Sequence, residues 1–419
     1  METGIIKSEV KIVNILFLSL LDFSSFDERN IYSDLLYAFI VNGHRVFCVS
    51  PVEKRRNRGT ELLRFGDNCI LKLKIGNIQK VNLIEKGIST LRIEPSVIRA
   101  IKRYCSDVRF DLVLYATPPV TFARVIRFVK KRDGAKSYLM LKDIFPQNSV
   151  DLGMLSASGV KGLIYRYFRR KEKALYAISD RIGCMSGANV DYVLQHNPEI
   201  SPEKVEICPN SIEVTDDRLN AEQKTEIRRK YGIPADKTVL IYGGNLGKPQ
   251  GIPFIIECLK ANAGYPDRFF VICGAGTEYP RLKDYIDTER PEHVLLINGL
   301  PKKDYEDLAG CCDIGLIFLD HRFTIPNFPS RLLSYMQRGM PVLACTDPNT
   351  DIGKVIIAGG FGWWCESDSP AHFTETVCLA LAADIPKMGG RACRYLKENY
   401  SVQKSYETIV ASMEQYRIS

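Results

Sequence analysis

Thr238-Val-Leu-Ile-Tyr-Gly-Gly-Asn-Leu-Gly-Lys-Pro-Gln-Gly-Ile-Pro-Phe-Ile-Ile256 reads as a strand that runs into a glycine-rich turn and out into a helix. The apolar run Val239–Tyr242 favours an extended, buried segment. Gly243 and Gly244 then let main-chain N–H groups approach an anion closely, and the following helix turns its positive end toward it. Lys248 adds a mobile cation. A second turn of the same kind closes Phe269-Phe-Val-Ile-Cys-Gly-Ala-Gly276. Either turn alone also suits an ordinary packed α/β connection. Together they point to a half of the chain built to hold a phosphorylated ligand.

The strand–helix rhythm extends both ways from this turn. Toward the C-terminus, strands fit Val294–Ile297, Ile314–Phe318, Pro341–Ala344 and Phe361–Trp364, with helices between them. Toward the N-terminus, strands fit Ile12–Leu18, Arg45–Val49, Phe110–Tyr115, Ser137–Leu141 and Arg181–Met185. A helix is expected over Ile31–Ile40, another over Pro95–Tyr104, and a short basic one over Phe122–Lys131. Pro51–Gly76 is charged and aperiodic, and reads as a long loop with a strand near Cys69–Ile75. Alternation of this kind predicts parallel sheets flanked by helices. With 419 residues, two domains are expected. The charged, proline-containing stretch Glu199–Ala235 holds the linker. The expected division is residues 1–205, residues 206–395, and a final helical segment, 396–419, free to return to the first domain.

Composition narrows the class. An apolar fraction of 45% and a charged fraction of 25% are those of a globular protein. No apolar run approaches the roughly 20 residues needed to cross a bilayer. The stretch Val10–Leu21 carries Lys11 and Asn14 and reads as a first strand, not a secretory signal. The thirteen cysteines form no CxxC pair and lie inside apolar patterns, which fits free thiols better than a metal site or disulfides. The net charge of +8 is concentrated: residues 122–173 hold thirteen Lys/Arg against four Asp/Glu.

The order of motifs in the second half resembles a retaining family 4 glycosyltransferase of the GT-B type. The resemblance rests on the Gly243–Gly251 turn, Gly274-Ala-Gly276, Asn298-Gly299, Cys312-Asp-Ile-Gly-Leu-Ile317 and Phe328-Pro-Ser-Arg-Leu-Leu-Ser-Tyr-Met-Gln-Arg-Gly-Met-Pro-Val-Leu-Ala344. Cys208-Pro-Asn-Ser-Ile212 is similar to the family's inter-domain segment. Ser24–Arg29, Lys142-Asp-Ile-Phe-Pro-Gln-Asn148 and Cys184–Asn189 look like a branch that builds bacterial capsule and O-antigen units. The resemblance implies an α/β fold of two doubly wound, Rossmann-like domains facing across a cleft. It implies transfer of a sugar from a nucleotide-sugar, a UDP-sugar first and an N-acetylated amino sugar among the options, to a lipid-linked saccharide.

Carried over position by position, the donor site takes Gly244, Asn245, Lys248, Gly274, Gly276, Asn298, Ser330 and Arg331. The family's Arg and Lys in the first turn are replaced by Asn245 and Gln250, so Lys248 and Arg331 are the cations left to meet the diphosphate. Its pair of glutamates falls on Pro326 and Ser334; Glu257 and Glu278 are other carboxylates that could reach the ribose. Asp143, at a strand end, is the candidate to contact the reacting sugar or acceptor, with capping of the turn before Pro146 as the alternative. Ser25, Asp27 and Glu28 face the acceptor or cap a helix. Ser186 and Asn189 suit the start of a helix. Trp363-Trp364 suits packing, with sugar stacking as the other option, and His321-Arg322 suits a solvated loop. No Asp-x-Asp suited to a nucleotide-bound metal is found, so no metal and no cofactor beyond the co-substrate are expected, and preorganised dipoles and cations must carry the leaving-group charge.

The basic segment 122–173 fits a peripheral contact with an anionic inner-leaflet surface, on the cytoplasmic side of the inner membrane, or a core-facing helix with a solvated basic back. No nucleic-acid signature accompanies it. Two other functions use the same architecture: a UDP-sugar 2-epimerase, and a non-catalytic subunit that docks a transferase at the membrane.

Overall fold

The computed structural model describes residues 12–77 and 83–418. Val10 and Lys11 of the first apolar stretch lie outside the described residues, as does the side chain of Val160. Two sheets form the molecule. The first contains β1 (Asn14–Leu18), β2 (Arg45–Glu53), β3 (Glu61–Phe65), β4 (Asn68–Ile75), β5 (Leu112–Ala116), β6 (Lys136–Leu141), β7 (Arg181–Cys184) and β8 (Val205–Ile207). Their order is β3-β4-β2-β1-β5-β6-β7-β8. The second contains β9 (Thr238–Asn245), β10 (Arg268–Ala275), β11 (Val294–Ile297), β12 (Ile314–Phe318), β13 (Val342–Thr346) and β14 (Gly362–Glu366), in the order β11-β10-β9-β12-β13-β14.

All neighbours run parallel except β3 and β4, which pair as a hairpin (Leu62↔Leu71). That hairpin replaces much of the loop expected over Pro51–Gly76. A parallel sheet covered on both faces reads as continuous hydrophobic runs. β1 shows it: Leu16 and Leu18 pack in one core, while Ile15 and Phe17 pack in the other. The helix expected from Pro95 begins earlier and spans Leu83–Tyr104, with Pro95 inside it. Burial of Ile93, Val97 and Ile101 against the sheet offsets the one main-chain hydrogen bond that proline removes.

The chain passes between the sheets twice. After β8, which straddles the division expected at residues 205 and 206, the first crossing leads through Ile212 toward helix Ala221–Tyr231. Helix Ile385–Asn399 ends at Tyr400, and helix Val402–Ile418 packs Val402, Tyr406 and Ile409 into the first domain's core, with the Tyr406 ring 5.0 Å from that of Phe39. The two crossings bond to each other: Ile212 N–H donates to Tyr400 O (3.1 Å) and Val402 N–H donates to Ile212 O (2.9 Å).

Ligands of open α/β sheets bind beyond the carboxyl ends of the strands, where strand order reverses. Those points lie between β1 and β5 in one sheet and between β9 and β12 in the other. The loop that follows β1 and the end of β9 both reach the space between the domains.

Candidate functional site

A cavity of about 630 Å³ lies in that space. The first domain contributes Arg29, Asn30, Ile31 and Asp34; the linker contributes Ile212 to Asp217; the second domain contributes Gly243, Gly244, Lys302, Glu306 and residues of 329–338. A recess of about 370 Å³ continues it past Gly274, Gly299, Leu300 and Tyr305, and the two share Gly243, Gly244, Lys302, Arg331 and Ser334.

Arg331 dominates the electrostatics. It opens helix Arg331–Gln337, and its guanidinium lies over the Tyr242 ring, 4.2 Å from the centroid. Stacking on an aromatic face holds a guanidinium without neutralising it. Its Nη1 is buried with no hydrogen-bond partner among the described residues. Among the described residues no carboxylate lies within ion-pair distance of it, whereas Arg29 pairs with Asp34 (2.8 Å) and Arg338 with Glu306 (3.4 Å). A cation left with free donors at a cavity wall suits an incoming anion.

The glycine turn is braced by tyrosines. Gly243 N–H donates to Tyr335 Oη (3.1 Å), and the Tyr335 hydroxyl lies 3.2 Å from both Ile241 O and Leu316 O. A Cβ on Gly243 would fall 1.9 Å from the Tyr305 hydroxyl. Gly244 has φ +128°, in the region glycine favours, and a Cβ there would meet Arg331 Nη2 at 3.3 Å. Gly274 allows β10 to approach β9, since its Cβ would lie 1.9 Å from Gly244 O. Gly276 is needed for the same reason beside Leu246 O (2.2 Å). Two turn amides are already engaged: Gly243 N–H by Tyr335, and Gly247 N–H by Gln250 Oε1 (3.1 Å). Anion binding here falls mainly to Arg331.

The structure brings Gly244, Gly274, Ser330 and Arg331 together at the cavity and its recess. Four expected donor residues stand apart. Lys248 lines a separate cavity: the short 3-10 turn Lys248–Gln250 directs Gln250 inward, where its Oε1 accepts from Asn245 Nδ2 (3.1 Å), and leaves Lys248 exposed on the other side. Asn245 is thus tied within the loop. Gly276 packs on the Leu246 main chain. Asn298 is exposed and lines neither part of the site. Of the alternative ribose carboxylates, Glu257 pairs with Lys260 (3.2 Å) and Glu278 faces the cavity of Lys248.

The acceptor candidates stand beside the cavity wall. Ser25, Asp27 and Glu28 bond one another in a closed turn: Ser24 and Ser25 N–H donate to Glu28 Oε1, and Ser25 Oγ donates to Asp27 Oδ2 (3.0 Å). The residues just beyond, Arg29 to Asp34, form the cavity wall. Lys72, fully buried, anchors the base of this loop through Asp22 and by donating to Phe23 O (2.8 Å). Asp143 follows β6, and its main-chain O accepts from Thr117 Oγ1 (3.3 Å). Burial raises its carboxyl from 3.8 to about 6. Its charge adds to the burial that pushes up the neighbouring Tyr32 phenol.

Ser186 donates to Asn189 Oδ1 (3.1 Å), and Asn189 Nδ2 reaches across to Pro326 O (2.7 Å). Trp364 packs beneath helix Ile352–Ala358 and donates to Thr346 Oγ1 (2.9 Å). Lys302, Tyr305 and Glu306 were not singled out by sequence, although the helix Lys302–Gly310 that follows the Asn298-Gly299 strand end was their one signal. Among the described residues no group of His, Cys, Asp and Glu converges to hold a metal ion.

Comparisons with known proteins agree with this architecture. Residues 223–399 match the family model for glycosyl transferases group 1. "Probable glycosyltransferase WbjE" of Pseudomonas aeruginosa is 24% identical over 344 residues, covering 81% of this chain and 82% of its own. Among solved structures, Anabaena Alr3699/HepE in complex with UDP and glucose superposes with a TM-score of 0.68 at 12% identity, covering 96% of this chain and 100% of its own. WaaG, a glycosyltransferase involved in lipopolysaccharide biosynthesis, gives 0.63 at 14% identity, covering 95% and 98%. The chain is a glycosyltransferase of GT-B architecture, and its match to glycosyl transferases group 1 lies over the second sheet.

Proposed function

We propose that this chain transfers a sugar, with retention at the anomeric carbon, from a UDP-sugar to a lipid-linked saccharide during surface-polysaccharide assembly of the capsule or O-antigen type. The observation that carries the reading is Arg331: a stacked, carboxylate-free guanidinium at the glycine turn of the interdomain cavity. It would hold the diphosphate and stabilise the charge that develops on the leaving group. The adjoining recess at Gly274, Gly299 and Leu300 would take the nucleoside, and Ser334 or Glu306 the ribose hydroxyls. Asp143 would contact the reacting sugar or acceptor. HepE's complex with UDP and glucose and WaaG's lipopolysaccharide role support the donor and pathway class.

A peripheral membrane contact fits the acceptor. Helix Gly159–Ile178 leaves Leu163 (61% exposed), Ile164 and Tyr167 on its surface, beside Arg166 and Arg170, which have no ion pair among the described residues. Apolar and basic groups side by side favour an anionic interface. Among the described residues no helix is long and apolar enough to cross a membrane.

The test is calorimetric titration of UDP-glucose and UDP-N-acetylglucosamine against wild type and Arg331→Ala, with transfer of labelled sugar to polyprenyl-diphosphate saccharide as the activity readout. Binding of either donor to wild type and its loss in Arg331→Ala are expected. Equal affinities in the two proteins would remove Arg331 from the site.

A further inference from the structure

The cavity that takes Lys248 away from the donor site, about 470 Å³ in volume, shares no residue with the interdomain cavity or its recess. The first turn of helix Ile252–Ala261, Ile252 to Phe254, borders it. The loops after β9, β10, β12 and β14 form its wall, and Leu152 of the first domain closes one edge. The wall is tied together: Asp320 N–H donates to Pro249 O (2.9 Å), and Glu278 N–H donates to Leu246 O (2.9 Å).

Its chemistry is two-sided. Lys248 and Arg281 are exposed and have no carboxylate within ion-pair distance among the described residues, so both are available to an anion. Arg322 is held on Asp320 through Nε (2.8 Å) and Nη2 (2.7 Å), a fixed pair that shapes the site. Glu278, with no ion pair among the described residues, adds an acceptor for hydroxyl groups. Ser367, only 1% exposed, lines the cavity with an Oγ that has no hydrogen-bond partner among the described residues. Phe254 supplies an apolar surface. The volume far exceeds that of one phosphate group. Two free cations, a carboxylate acceptor, an orphaned hydroxyl and an apolar wall match a compact anion with a hydroxylated body.

We propose that this cavity is a second ligand site, separate from the donor site, that binds a phosphorylated monosaccharide, with Lys248 and Arg281 on the phosphate and Glu278 on sugar hydroxyls. Occupation would also touch Leu152, and so bridge the domains.

The experiment titrates glucose 6-phosphate into the full chain by calorimetry, alone and with saturating UDP, alongside inorganic phosphate and glucose. Glucose 6-phosphate is expected to bind with and without UDP, and more tightly than phosphate or glucose. Charge-assisted hydrogen bonds of this kind imply about tenfold or greater weakening in the double variant Lys248→Gln/Arg281→Gln. Arg331→Ala should bind glucose 6-phosphate as wild type does. Both altered residues are exposed, so melting temperature without ligand should hold; Ser367→Ala gives a further reading and should weaken binding without a charge change. No binding, equal binding by the double variant, equal affinity for inorganic phosphate, or displacement by UDP each overturns the proposal.

Discussion

Asp143→Asn separates the energetic burden of a half-buried carboxylate from its use. The wild-type carboxyl sits at the end of β6 with no Lys or Arg within ion-pair distance among the described residues, and burial lifts it from 3.8 to about 6. A folded-state value above the unfolded one means that the native state binds the proton more tightly. Stability from this group is therefore fully present below about pH 4 and is lost as pH rises through 6. A rise of this size corresponds to about 3 kcal/mol. For a domain of this size that is a melting shift of about 6–12 °C. Asparagine removes the charge, so the variant should match wild type near pH 4 and melt higher by up to that amount at pH 7.5. Differential scanning fluorimetry of both proteins from pH 4 to 8 measures it, because groups common to both cancel in the difference. The same variant should lose sugar transfer if the carboxylate meets the substrate. A difference in melting that stays flat with pH, or that favours wild type as pH rises, refutes the reasoning.

Three further substitutions or modifications follow from the geometry. Gly274→Ala places a Cβ against the Gly244 carbonyl and should destabilise the second domain by about 2–4 kcal/mol, seen as a lowered melting temperature. Tyr335→Phe leaves the Gly243 N–H without its partner and should cost about 1–3 kcal/mol in urea unfolding, with weaker UDP-sugar binding as the turn loosens. Of the thirteen free thiols, Cys378 is exposed and Cys393 half-exposed, while the others are buried. Ellman's reagent should modify Cys378 first in the native chain, and Cys378→Ser should remove that fast phase.

Much of the architecture was written locally. Val239–Tyr242 followed by two glycines can be little else than a buried strand feeding a tight turn, whereas Arg331 was recognisable only through the resemblance carried by Phe328–Ala344, and its stacking on Tyr242 beside that turn is tertiary. The hairpin strand Glu61–Phe65 escaped notice because it is a sheet edge with both faces partly wet, so its residues carry no alternation. Lys248 and Gln250 show a different limit. Two residues apart, they leave the 3-10 turn on opposite sides, and spacing alone cannot say which one faces the ligand. The wall made by Arg29, Asp34, Lys302 and Glu306 was hidden for a third reason. It exists only where segments nearly three hundred positions apart meet, as when Lys302 Nζ donates to Arg29 O.

The paired crossings at Ile212 and Tyr400–Val402 have a mechanical consequence. A single connecting strand would let one lobe swivel freely about the other. Two connections stapled side by side act as a pair of pins on one edge of a door, leaving a single axis on which the lobes can swing. Opening on that axis would part contacts between the lobes, such as Thr324 with Asp151 (2.8 Å), while the pinned edge stays shut.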